Sequence, residues 1–517
     1  MARGYIEDRE LELLLRPLIY TSWMFYPFFG LLLAGVIWLF YNFQLQFFEG
    51  HHFTGQGSQG AIWGILVADI VHFIGISHVG IAISAVVRIL NLERYKQLAR
   101  IAELVTLASL TTAVLNISMD VGRPDRFIFN VVKHGRFHAP FVWSMTVITT
   151  YLIGSSVYLY LAMRRDLYIC SLVLPSHKRW LYKLLALGYS DTPQSRQTHE
   201  RVVWWLAVII LPIMVSVHSV YGYIFGMQAG RPGWFNPFQA PYFVLGAIVT
   251  GFSFVIIVLA ILRQTFGWQE IFYPRIFKGL GVFLGFVTWL YLYFLFSEWL
   301  TGTYAPPAAE RVVFNDVLFG RFAKITWPAT ILGMVVPFWI FFIQGANPRI
   351  CSIKLTVLAA IPVFISMWIW RYLIVVPSFY HPHLPYKIAP YMPTFFDWSL
   401  IAGSFIFCAF LYTVLVKVLP VLELPEEVRV ATHSPVILPY YVSPYERIKN
   451  ILGLIKRFTI PLTLLAGVGL IATGIITRET PPAPAIWVLG IITLWSLPLQ
   501  ICILPKRESA RRYRWPY

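Results

Sequence analysis

Apolar runs about twenty residues long, separated by polar stretches, recur along the whole chain. A helix of that length matches the hydrocarbon thickness of a bilayer. Only helices and closed barrels satisfy every backbone polar group in lipid, and runs of this length select helices. Twelve segments are read: 20–41, 61–88, 101–119, 140–162, 202–225, 241–263, 279–298, 327–344, 355–376, 399–419, 458–476 and 485–504. The expected fold class is an all-α integral membrane protein of about 10–12 spanning helices, in two four-helix bundles plus flanking helices. Loop lengths divide the chain into an N-terminal cytoplasmic segment with the first helix (1–60), one bundle (61–225), a second bundle (241–376) and a flanking helix (399–419). A Pro-, Glu- and Tyr-containing cytoplasmic stretch (420–457) then sets apart a helical hairpin (458–504) and a basic tail (505–517).

Charge tests the threading. With the N-terminus inside, the cytoplasmic segments carry 30 Lys and Arg and the outer loops carry 10, with Arg371 inside a helix. A threefold bias of that sign is what the positive-inside rule requires. It places both termini in the cytoplasm of a cell whose plasma membrane holds the chain. It also accounts for the net charge of +17: basic loops face anionic lipid, and no nucleic-acid partner is expected. Only 13% of the 517 residues are charged, against about 25% in a soluble domain. The N-terminus lacks the pattern of a cleaved signal, so the first helix is expected to serve as its own insertion signal.

The four cysteines, Cys170, Cys351, Cys408 and Cys502, are far apart and form no CxxC. Iron–sulfur clusters and structural zinc need clustered thiolates, so neither is expected in this chain.

Ionisable groups in lipid are costly, and each is a functional candidate. The second segment carries Asp69, His72 and His78. At about 100° per residue, Asp69 and His72 are neighbours while His78 points elsewhere, so this helix shows polar groups on more than one side. Glu103 begins the third segment on the inside and Asp120 lies at its outer end; His218, Glu298 and Arg371 fall in the fifth, seventh and ninth. Helix rise places Asp69, His218 and Arg371 within roughly 7–12 Å of the outer ends of their helices. Acids, bases and an arginine thus gather in the outer half. Glu103 and Glu298 also read as end groups snorkelling to water, and a lone histidine as a tie between helices. The polar set fits a transported ion or solute. It fits one haem between two histidines, but not two haems. It also fits a quinol, whose oxidation releases two protons that His and Asp can accept beside apolar walls for its ring and tail.

Several stretches carry a family resemblance: GISHVGIAISAVVRILNLERYKQLARIAELVT (75–106), DVGRPDRF (120–127), FHAPFVWSMTVITTYL (137–152), SVHSVYGYIFG (216–226), APYFVLGAIVTGFS (240–253), FSEWLTGTY (296–304) and RYLIVVPS (371–378). Their order and helix placement resemble the NrfD/PsrC-like membrane subunits, above all the longer type of alternative complex III and related quinone-reducing complexes. The likeness spans about 60–420, about 70% of the chain. It implies a respiratory subunit with no metal cofactor of its own, neither haem nor iron–sulfur cluster. That subunit binds a menaquinone- or ubiquinone-type quinone toward the outer face and exchanges electrons with an extracytoplasmic iron–sulfur subunit. Cytochrome c or molybdenum-type subunits, further membrane subunits and lipid are the other implied partners. His78, Asp120, Arg123 and His218 are the site positions carried over by motif, and Asp69 and His72 join them from the polar pattern. Departures are Tyr221 to Ile224, where some relatives place an acid, and Trp370, where a Glu often stands. A proton path is expected through Glu103, His78, His72 and Asp69, with Arg371 beside it and Thr106 and Ser109 as steps on the third helix. The rival readings are an ion or solute transporter and a passive membrane anchor.

Overall fold

The computed structural model describes residues 8–56, 63–174, 176–304, 306–381, 391–424 and 461–469. Ten helices among these residues are long and apolar enough to cross a membrane. They are α1 (Phe25–Glu49), α2 (Ile65–Ile89), α3 (Lys96–Val121), α4 (Pro140–Val173), α5 (Pro193–Gly226), α6 (Gln239–Phe266), α7 (Pro274–Tyr304), α8 (Ala323–Ala346), α9 (Ile353–Val375) and α10 (Phe395–Val418). No strand occurs among the described residues. Each of the first ten expected segments falls on one of these helices. Of the last two, 461–469 is helical, and the segment 485–504 and the basic tail lie outside the described residues.

The described chain divides into two compact units. One holds Leu32–Leu161 and Thr198–Tyr412, and the other holds the chain before, between and after those stretches. In the larger unit α2 is the central helix. The most apolar stretch of α2 is 89% buried and that of α3 is 78% buried, whereas that of α1 is 22% buried. A helix whose apolar residues run all round it, with buried polar groups set among them, belongs in a core, and α2 packs against α3, α6 and α9. The contact with α3 is close because of Gly80. A side chain there would overlap the Ala102 carbonyl and the Thr106 hydroxyl of α3, and small residues are what let membrane helices approach. α8 contains a π-helical turn, Ile331–Val335, beside which Ser366 of α9 donates to the Ala329 carbonyl at 2.6 Å.

In the smaller unit a short helix, Asp8–Ile19, packs by Leu11, Leu14, Leu15 and Leu18. Two buried lysines close its C-terminal end. Lys178 donates to the Leu18 carbonyl at 2.6 Å, and Lys417 donates to the carbonyls of Pro17 and Tyr20 at 3.1 and 2.6 Å. Lysines at a helix C-terminus pair with its unsatisfied carbonyls and its negative dipole end. Cys170 and Cys408 are buried free thiols, and Cys351 is partly exposed.

Candidate functional site

The two histidines expected as site residues meet at the centre of the larger unit. His78 of α2 and His218 of α5 lie edge to face, with ring centroids 4.3 Å apart, and both are fully buried or nearly so. Their environments differ. One ring nitrogen of His78 lies 2.5 Å from the Ile74 carbonyl and the other 2.6 Å from the Met214 carbonyl. Carbonyls only accept. A neutral ring therefore satisfies one of them, and a ring that has taken up a proton satisfies both. Both ring nitrogens of His218 are buried and have no hydrogen-bond partner. Unpartnered buried polar atoms are few in native proteins, and each calls for an explanation.

Arg371 of α9 supplies the next element. Its Nη2 donates to the Phe243 carbonyl at 3.3 Å, and its guanidinium lies 4.7 Å from the Phe243 ring centroid. Its Nε and Nη1 are buried without partners. The guanidinium fits because Gly246 of α6 leaves room where a side chain would strike it. Phe243 also lies 6.4 Å from His218 and 5.5 Å from Phe225, ring to ring. Phe243 thus borders both a cation that only donates and an imidazole that donates or accepts.

The remaining expected residues occupy other places. Asp69 accepts from Asn116 Nδ2 of α3 at 2.8 Å and from Trp368 Nε1 of α9 at 2.9 Å, and Ser404 of α10 donates to Asn116 at 2.7 Å. This network ties four helices together. His72, one turn away, sits among Phe73, Phe364 and Phe405, and neither ring nitrogen has a partner. Asp120 accepts from Gln56 Nε2 at 3.0 Å. Arg123 turns away from it. Arg123 forms two bonds to Asp125, at 3.1 and 2.9 Å, and covers Phe47. That guanidinium holds the Asp125 carboxyl below its usual range. Glu298 accepts from Gln239 Nε2 at 3.1 Å.

Glu103 accepts from Ser84 and pairs with Arg100 at 3.7 Å. Ser84 and Tyr158 of α4 lie 2.8 Å apart, hydroxyl to hydroxyl. Tyr151, two turns along α4, donates to the Ser77 carbonyl at 3.0 Å and packs 5.2 Å from the His78 ring. Thr106 donates to the same carbonyl at 2.7 Å, and Ser109 bonds within its own helix to Val105. Glu103 and His78 thus each border a tyrosine of α4, Glu103 meeting Tyr158 through Ser84 and His78 packing on Tyr151, and the sequence pattern singles out neither tyrosine. Tyr151, Tyr158, Phe243, Asn116 and Trp368 all escape a reading of the sequence. In a chain with 28 Tyr, 19 Trp and 40 Phe, no single aromatic residue stands out.

A protein-family model described as "Polysulphide reductase, NrfD" matches residues 54–382, well over half of the chain. The chain belongs to the NrfD family. It is 32% identical over 277 residues to a putative dimethyl sulfoxide reductase membrane subunit of Halobacterium salinarum, covering 53% of this chain and 60% of that protein. It is 24% identical over 418 residues to a selenate reductase subunit of Mesobacillus selenatarsenatis, covering 78% and 94%. It is also 24% identical over 372 residues to the Hdr-like menaquinol oxidoreductase integral membrane subunit of Archaeoglobus fulgidus, covering 69% and 84%. The match to the Halobacterium protein thus spans about 60% of its length. With ten apolar helices and this family match, the chain is a multi-pass integral membrane protein. Among the described residues no group of three or more His, Cys, Asp or Glu is placed to hold a metal ion.

Proposed function

We propose that this NrfD-family protein is the quinol- and quinone-binding membrane subunit of a respiratory oxidoreductase complex. In that reading it exchanges electrons between the membrane quinone pool and an extracytoplasmic iron–sulfur subunit. The observation that carries it is His218: a fully buried imidazole with both nitrogens free of partners, against a second histidine and beside an aromatic ring, Phe243, that also meets the Arg371 guanidinium. A quinone ring suits that set. Its faces pack on Phe243, and its two oxygens match one group that donates and one that donates or accepts. Three relatives are named as subunits of reductases or of a menaquinol oxidoreductase, which supports partner subunits for this chain as well. Cytochrome c or molybdenum-type subunits and a plasma-membrane location belong to the same reading, with both termini inside as the charge bias requires.

The quinone supplies two-electron chemistry, and the chain's own residues handle the protons. His218 accepts the hydroxyl proton of a quinol, and His78 stands behind it. When His78 takes up a proton, both of its carbonyl contacts become hydrogen bonds. Asp120 lies at the outer end of α3, directly after the buried Met119, and offers a second acceptor. Tyr151, Tyr158, Ser84 and Glu103 extend from His78 toward the cytoplasm, and this is the route by which electron transfer would couple to proton movement.

The test is turnover. His218→Phe keeps the ring shape and removes both nitrogens. General acid–base groups contribute about 10²–10⁴-fold in rate, so quinol-dependent turnover of the intact complex should fall by that factor with assembly unchanged. Unchanged turnover in both His218→Phe and His78→Phe would place the reaction elsewhere.

A further inference from the structure

α7 and α8 of the larger unit enclose an apolar groove. It has a volume of about 490 Å³, within the range of ligand pockets, about 300–1,000 Å³. Gly285 and Phe341 form its floor. A side chain at Gly285 would strike Phe341, so the two helices meet there. Phe286, Trp289 and Phe342 stand at the rim, each about half exposed. At one end the exposed Gly345 and Ala346 leave the groove open. Membrane helices approach one another through small residues. Here the glycine at the floor is taken up by the α7–α8 contact, and bulky rings stand at the rim. Such a slot admits a flexible chain more readily than a helix backbone.

The stripe of α7 that lines the groove changes character at the open end. Arg275, Lys278, Val282, Gly285 and Trp289 recur at spacings of three and four, so they share one face. The last three line the groove, and the first two continue the stripe beyond it. Lys278 also reaches across to α8: its Nζ donates to the Asn347 carbonyl at 2.8 Å, directly after Ala346. The same turn carries Arg349, which is exposed, as is Arg275. No acid occurs from Pro274 to Trp289 or from Gln344 to Lys354. Depth agrees with this division. α7 has 31 residues, about 46 Å at 1.5 Å per residue, enough for the hydrocarbon and both headgroup layers. Lys278 then lies about 6 Å from the start of the helix, at headgroup depth. Val282 and Trp289 lie about 12 and 22 Å in, within hydrocarbon.

We propose that this groove binds an anionic phospholipid, with an acyl chain between the rings and the phosphate at Arg275, Lys278 and Arg349. Charge selects the headgroup. Three cations with no acid among them favour an anionic lipid over a zwitterionic one, and basic pockets between spanning helices suit such headgroups. The start of α7 adds the positive end of its dipole. The bias in Lys and Arg assigns this end of α7 to the cytoplasmic leaflet, where anionic lipid is concentrated. A quinone tail fits the apolar slot as well, but its neutral head leaves the cations unanswered. The proposal is independent of the quinone-binding reading above and concerns different residues.

Native mass spectrometry of the purified full chain tests the site, after delipidation in detergent and addition of phosphatidylglycerol or phosphatidylcholine with the same acyl chains. Wild type should hold one equivalent of phosphatidylglycerol about tenfold or more tighter than phosphatidylcholine, as expected for a few basic groups at a headgroup. Arg275→Gln with Arg349→Gln should remove that preference; both side chains are exposed, so folding is not at stake. Val282→Trp, at a rim position 41% exposed, should fill the slot and lose the tight equivalent with every charge in place. Lys133→Gln with Arg136→Gln, two exposed cations elsewhere, should keep the preference. Equal affinity of wild type for the two lipids, or the same loss in the Lys133 and Arg136 variant, would overturn the proposal. In the intact complex, a photoreactive benzoylphenylalanine placed at Val282 should label phospholipid. Label on another subunit would show a partner helix in the groove, and label on quinone would show its tail there; either result would overturn the proposal.

Discussion

Asp69 is the group whose replacement is most informative about how polar residues are used in this core. Its two carboxylate oxygens accept from Asn116 and Trp368 at 2.8 and 2.9 Å, and Asn116 is held in turn by Ser404. Every donor in that network is aimed at an acceptor. Asp69→Asn keeps the volume and leaves one oxygen, so the new amide can serve Asn116 or Trp368 but not both. The other donor then faces an N–H. A buried donor without a partner costs about 1–3 kcal/mol, and that is the expected loss. Asp69→Ala orphans both donors and opens a void, for about 2–6 kcal/mol from the two donors alone. Replacing the whole set with Asp69→Leu, Asn116→Leu and Trp368→Phe should recover most of the loss, because removing both partners of a bond is nearly neutral. Thermal unfolding in one detergent ranks the four proteins, and quinol turnover is measured in parallel on the assembled complex. The reasoning fails if Asp69→Asn unfolds like wild type while turnover collapses. Asp69 would then act as a proton acceptor and not as a tie between helices.

Other outcomes follow from single contacts. Gly80→Val drives a side chain into Ala102 of α3 and should cost about 3 kcal/mol or more by overpacking, read as loss of folded protein in detergent. Lys417→Met removes the donor to Pro17 and Tyr20 and should expose the Asp8–Ile19 helix to limited proteolysis while the larger unit stays resistant. Glu103→Gln should leave quinol oxidation in detergent nearly unchanged and lower the proton-to-electron ratio in sealed vesicles; an unaltered ratio would make Glu103 a structural partner of Ser84 and Arg100. Cys351, partly exposed between α8 and α9, should react with an impermeant thiol reagent only from the cytoplasmic face. Cys170 is fully buried and should stay unreactive from both sides.

The positions of the helices were legible because lipid leaves the chain little choice: about twenty apolar residues are needed for each crossing. The buried histidines and Asp69 were legible for the related reason that ionisable groups rarely occur there without a role. The partners of those groups were not legible. The helical period shows that Asp69 and His78 point to different sides of α2, but which helix waits on each side depends on packing between residues hundreds of positions apart, as with Asp69 and Trp368. The pattern DVGRPDRF sets Arg123 three residues from Asp120, yet the turn after Asp120 sends the guanidinium to Asp125. Gln239 reads in the sequence only as a polar residue at a helix start, and its bond to Glu298 emerges once α7 packs beside α6.

The central claim is that a quinone binds between His218, Phe243 and Arg371. It is tested most directly by photo-crosslinking an azido-naphthoquinone to the purified full chain and identifying the labelled peptides by mass spectrometry. The account predicts label on the α5 segment around His218 and the α6 segment around Phe243, displaced by excess unlabelled quinone and lost in His218→Phe. Displaceable label confined to other helices, with these two segments unmodified, would contradict it.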